Sequence, residues 1–127
     1  VIVRVDGVPR FVPAAVTLRV APPPRVTPVP GAPPELLGVA PYEGAIVPVI
    51  AIGPMRREMI VCLHAGELIG LVGGEVLQTG CFDTLAGRPD AVLFEGVRAQ
   101  ALDLGAIYGR VQAAARPGRW ARTELIP

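Results

Sequence analysis

Between Pro22 and Pro34, seven of thirteen residues are proline. Proline lacks a backbone N–H and clashes with the preceding helical turn. This stretch can therefore be neither helix nor central strand. It is predicted to lie over the surface as polyproline II. Two roles are open to it: a docking segment for a proline-recognising partner, or a stiff connector between β elements. Its position inside the chain, with Val26 and Val29 able to pack inward, favours the connector.

The rest of the chain is punctuated in the same spirit. Gly and Pro number 15 each, yet half of the residues are apolar, mostly in short Val, Ile and Leu runs. Short apolar runs between turn residues read as strands, so the fold class is all-β. A chain of 127 residues suits one domain with a core of its own.

The strongest strand is Ala45–Ile52, β-branched and bounded by Gly44 and Gly53-Pro54, which reads as buried. Tyr42-Glu43-Gly44 turns into it. Phe94-Glu95-Gly96 turns into Val97–Leu104 in the same way, 52 residues later. Two related β units are expected, over residues 1–54 and 58–104. Asp6-Gly7 is a hairpin turn between Val1–Val5 and a return strand at Arg10–Val12. Thr17–Val20 alternates. Glu58–His64 and Glu67–Val72 flank the turn Ala65-Gly66. Gly73-Gly74 breaks that strand, and Glu75–Thr79 resumes it. Gly80–Asp90 is a loop. In Val97–Leu104, Arg98 and Gln100 alternate with Val97, Ala99 and Ala101, which places one face in water.

The tail changes period. Leu104, Ile107, Tyr108 and Val111 follow helical spacing, with Asp103 as N-cap, so a helix is expected over 105–115, ended by Pro117-Gly118. Its apolar stripe is a packing face, and Trp120 can pin the tail to the body.

Several function classes are excluded or left without support. The chain has no Ser, Lys or Asn, so it holds no serine nucleophile, Schiff-base lysine or phosphate-loop lysine. A net charge of +1 and few aromatic residues argue against nucleic acid as a partner. Two cysteines make no disulfide framework and point to a reducing compartment. No apolar stretch reaches the roughly 20 residues that span a bilayer. A chain that begins at Val1 is expected to have lost its start. Cys62 and His64 share a strand face and, with Cys81, offer three possible metal ligands. Their spacing matches no structural zinc site and no fourth ligand is evident, so no metal or cofactor is expected. A small-molecule- or metal-binding β-barrel is the alternative reading.

Four segments taken together resemble the CheW-like family. They are Phe11–Val16, the Pro22–Pro33 stretch, Leu37-Gly38-Val39, and Gly44–Ile50 with its Gly-x-Ile-x-Pro-Val pattern. The likeness continues through Glu67–Val76 and Gly96–Leu104. The resemblance implies two small five-stranded β-barrel subdomains around a common core and no enzymatic activity. It implies an adaptor in chemotaxis signal transduction. One barrel would meet the regulatory domain of a CheA-type histidine kinase, and the groove between barrels would face the cytoplasmic tip of a chemoreceptor. The protein would be cytoplasmic and recruited to membrane receptor arrays. Leu37, Val39, Tyr42, Glu43 and Gly44 are the implied partner-binding residues. Where the family commonly carries Asn-x-Arg-Gly, this chain has Pro41-Tyr42-Glu43-Gly44, which reverses a charge in that region. After the strand, Ala51-Ile52 stands where the family usually has Asp-Leu.

Overall fold

The computed structural model describes residues 1–80 and 82–114, and the side chains of 113–114 are not included. Cys81 and Trp120 lie outside the described residues. The strands in order are β1 (Ile2–Val5), β2 (Val8–Phe11), β3 (Thr17–Ala21), β4 (Leu36–Tyr42), β5 (Ala45–Ala51) and β6 (Met59–His64). They continue with β7 (Glu67–Val72), β8 (Glu75–Gln78), β9 (Thr84–Leu85), β10 (Arg88–Phe94) and β11 (Val97–Ala101). Among the described residues one α-helix, α1 (Leu104–Ala114), follows.

Four of the predicted turns are two-residue hairpins of one kind. Their first residues, Asp6, Glu43, Ala65 and Glu95, have φ of 51°, 45°, 50° and 48°, and each is followed by a glycine at 76° to 82°. Positive φ at both central positions matches the right-handed twist of the flanking strands. The flanking pairs are Val5↔Val8, Tyr42↔Ala45, His64↔Glu67 and Phe94↔Val97.

The strands form a six-stranded sheet, β8-β1-β2-β11-β10-β9, and a five-stranded sheet, β3-β6-β7-β5-β4. The sheets do not follow the expected halves 1–54 and 58–104. The β1–β2 hairpin joins β8 and β11, so the start of the chain completes a sheet built mostly from its later part. Three local expectations also change. Glu75–Gln78 does not resume β7; the chain crosses at Gly73-Gly74 and pairs with β1 in the other sheet. The expected loop over 80–90 contains β9 and the start of β10, which makes one sheet six-stranded rather than five. The return strand β2 begins at Val8 and includes Pro9.

Pro9 is accommodated by the alternation of an antiparallel ladder. Val5↔Val8 flank the turn and bond each other, so Pro9, opposite Arg4, faces away from β1. The β11 ladder on that side starts only at Arg10. Pro41 is placed likewise, opposite Ile46 on β4, the sheet's edge strand. The proline stretch lies against β4. Thr27 exchanges backbone hydrogen bonds with Val39, at 2.8 and 2.9 Å, and Val26 packs against the same buried cluster as Leu37 and Tyr42.

Burial on both faces explains why the central strands are unbroken apolar runs. Ile50, Ile60, Cys62, Ile69 and Leu71 enter a central core with Val3, Val12, Leu104, Ile107 and Val111. From the same strands Val49, Met59, Val61 and Val72 enter a second cluster on the opposite face. Ile2, Phe11, Val92 and Ala99 form a third inside the six-stranded sheet. The helix stripe is the predicted packing face, and Asp103 is its N-cap, with Oδ1 accepting the Ala106 N–H at 2.9 Å. In β11 Arg98 is exposed as expected, but Val97 is 52% exposed because it sits at the hairpin tip beyond the third cluster.

Candidate partner-binding site

The implied partner residues all lie on the β4–β5 hairpin. Leu37 and Tyr42 are half-buried and pack on the cluster of Ala40, Val49 and Met59, so they anchor the hairpin to the body. Val39 is half-buried on the opposite face, held by its backbone pairing with Thr27. Glu43 and Gly44 form the exposed turn. Leu37 lies five residues along the strand from Tyr42, about 17 Å. The expected residues are therefore one element but not one contact patch. Tyr42, Glu43 and Gly44 come together at its tip.

Glu43 is not an isolated acid. Its Oε1 lies 4.0 Å from Arg19 Nη1 of β3. Both side chains are mostly exposed, so the pair is screened and contributes little. Its role is to set the local charge: the tip carries a carboxylate with a cation at its side.

The residue that sequence reading missed is Ile46. It belongs to the run expected to be buried, yet it is 70% exposed. The reason is its face and its place on that face. Ile46 points away from Val47 and Val49, and the parallel pairing of β5 with β7 begins only at Val49↔Gly70, so the central core that Ile50 enters on that face does not reach Ile46. Cross-strand from Ile46 is Pro41, also exposed. An exposed apolar pair beside an acid at a rigid turn is suited to a protein contact. Pro41 was the available signal, since a strand proline marks an edge.

The possible metal ligands are differently placed. Cys62 and His64 do share a face, but Cys62 is fully buried in the central core. Burial pushes its thiol up to about 12, and its Sγ–H faces the Ile60 carbonyl at 3.9 Å. That thiol is neither a ready nucleophile nor a ready ligand. His64 lies at the strand end against α1, with its ring edge-on to Tyr108 at 6.0 Å between centroids. Tyr108 donates to Glu67 Oε2 at 2.6 Å. Among the described residues, no three His, Cys, Asp or Glu side chains are grouped as a metal site.

The family model described as the CheW-like domain matches residues 1–78. The chain belongs to the CheW-like family. Its CheW-like fold is also that of a solved structure, the scaffolding protein TtCheW from Thermoanaerobacter tengcongensis. The TM-score is 0.68 at 14% identity, over 82% of each chain. No curated protein matches the sequence. As a CheW-like protein it is a chemotaxis-type scaffold and not an enzyme. Among the described residues, no helix is long and apolar enough to cross a membrane.

Proposed function

We propose that this chain is the adaptor that couples a chemoreceptor's cytoplasmic tip to the regulatory domain of a CheA-type histidine kinase. It acts in the cytoplasm at membrane receptor arrays. The β4–β5 hairpin is the partner element. Leu37, Val39 and Tyr42 hold it in place, and Glu43-Gly44 presents the turn. The observation that carries this reading is the exposed Ile46–Pro41 pair beside Glu43, on a hairpin fastened to two cores.

The charge at the tip selects the partner. A surface tuned to a cation at this turn meets Glu43 unfavourably, and one that has exchanged charge meets it well. The test is binding of the wild type, Glu43→Arg and Ile46→Ala to two kinase regulatory domains. One comes from the same organism and one from a typical chemotaxis system. Glu43→Arg is expected to weaken the first and strengthen the second, each by about tenfold. Ile46→Ala is expected to weaken the first. Unchanged affinity of both variants for both domains overturns the role of this hairpin.

A further inference from the structure

We infer that Arg25, in the proline segment, is a specificity-determining residue of the partner surface and selects a partner face that sets a carboxylate beside apolar side chains. The inference rests on the β4–β5 hairpin being the partner element, and it extends that surface across the edge of the sheet.

The proline segment meets β4 through an isolated antiparallel bridge, Thr27↔Val39. It sits close, because a Cβ on Gly38 would collide with the Thr27 carbonyl group and the Val26 side chain. Val26 turns inward and packs on the cluster of Ala40, Val49 and Met59. Successive side chains of an extended chain take opposite sides, so Arg25 and Thr27 point outward, and both are exposed. The antiparallel sense carries Arg25, two residues before Thr27, to the level of Pro41, two residues after Val39.

On that outer face Pro41 pairs with Ile46, and Val39 with Pro48. Arg25, Pro41 and Ile46 thus form one row, and Thr27, Val39 and Pro48 the next. The hairpin's share of both rows is apolar, and the proline segment adds the polar groups. Arg25 enters no ion pair among the described residues; the pairs there use Arg4, Arg19 and Arg88. Glu43, at the tip, has Arg19 at 4.0 Å. The unmatched charge of this surface is therefore the Arg25 guanidinium. Prolines at 22–24 and 28 stiffen the backbone on either side of it, so the cation is offered with little chain entropy to lose on binding. A guanidinium at the margin of an exposed apolar row is complementary to a carboxylate beside apolar side chains, and a charge so placed acts chiefly on the rate of encounter.

The test is association kinetics with the kinase regulatory domain from the same organism, at low and high salt, for the wild type, Arg25→Ala, Arg25→Glu and Arg57→Glu. Arg25→Ala is expected to slow association severalfold and Arg25→Glu by at least about tenfold, with both differences shrinking as salt rises. Arg57→Glu makes the same change of charge at an exposed position in the turn after β5 and is expected to stay within about twofold of the wild type. Melting temperatures of the Arg25 variants should match the wild type, which separates recognition from loss of fold. Equal rates for the wild type and Arg25→Glu, or equal slowing by Arg57→Glu, overturn the inference. If Ile46→Ala weakens binding and Arg25→Glu does not, the hairpin remains the partner element and Arg25 has no part in it. If neither changes binding, the hairpin reading fails and the role of Arg25 fails with it.

Discussion

Gly53 and Gly73 touch backbone to backbone. A Cβ built on Gly53 would lie 2.5 Å from the Gly73 carbonyl oxygen, and one on Gly73 would collide with the Gly53 amide nitrogen and carbonyl oxygen. The contact lies where the chain leaves β5 and β7 side by side, tied by Ile52 N–H to Val72 O at 2.8 Å and Met55 N–H to Gly73 O at 3.2 Å. Gly73 also has φ of +131°, a conformation that disfavours any side chain. Gly73→Ala should therefore be among the costliest single-methyl changes, on the order of 3 kcal/mol. Gly44→Ala meets open space and carries only the cost of its φ of +82°, about 1 kcal/mol. Denaturant midpoints of the two variants check the order, and equal midpoints would refute it.

The Ala65-Gly66 hairpin offers a gain. Ala65 is held at φ of 50°, where an alanine pays for a clash that asparagine tolerates better. Ala65→Asn is expected to stabilise by about 0.5 kcal/mol, a rise in Tm of a few degrees. Calorimetry that gives a lower Tm would show that the turn is not strained there.

Val47 and Arg98 separate core from surface. Val47 is 1% exposed, and Val47→Asp buries a carboxylate with no partner, at a cost of several kcal/mol, on the order of the whole stability. Arg98 is exposed without an ion pair among the described residues, so Arg98→Ala should stay within about 0.5 kcal/mol of the wild type. Far-UV circular dichroism and thermal melts distinguish an unfolded chain from a native one.

Tyr108 ties α1 to the β6–β7 hairpin and gives it an alkaline signature. Partial burial and the hydrogen bond to Glu67 raise its hydroxyl to about 12. The unfolded tyrosine releases its proton near 10, so the folded state holds more protons between these values. Stability from this group is complete below about pH 10 and is lost as pH rises towards 12. Tyr108→Phe is expected to cost about 0.5–1 kcal/mol at pH 8 and to lessen the decline above pH 10. A variant that loses stability as steeply as the wild type between pH 10 and 12 would refute the assignment.

Sequence alone determined the features that depend on neighbours in the chain. The dipeptides ending in Gly7, Gly44, Gly66 and Gly96 specify hairpins because both turn residues need positive φ, which glycine supplies at no steric cost. The prolines of 22–34 exclude regular structure by chemistry, and Asp103 announces its helix by capping it. The apolar run of β5 announces a buried strand, and those of β6 and β7 announce strands. What the tertiary structure decided are relations between distant segments. Sequence could not tell that Gly73-Gly74 is a crossing between sheets rather than a break in one strand, because the reason is the Gly53 backbone it touches. Nor could it tell that β1 and β2 complete a sheet with β8 and β11. Ile46 reads like its buried neighbours, and its exposure follows from the face it takes, which the central core does not cover ahead of the β7 ladder. Periodicity is local, whereas register and sheet offset are set by pairings across the chain.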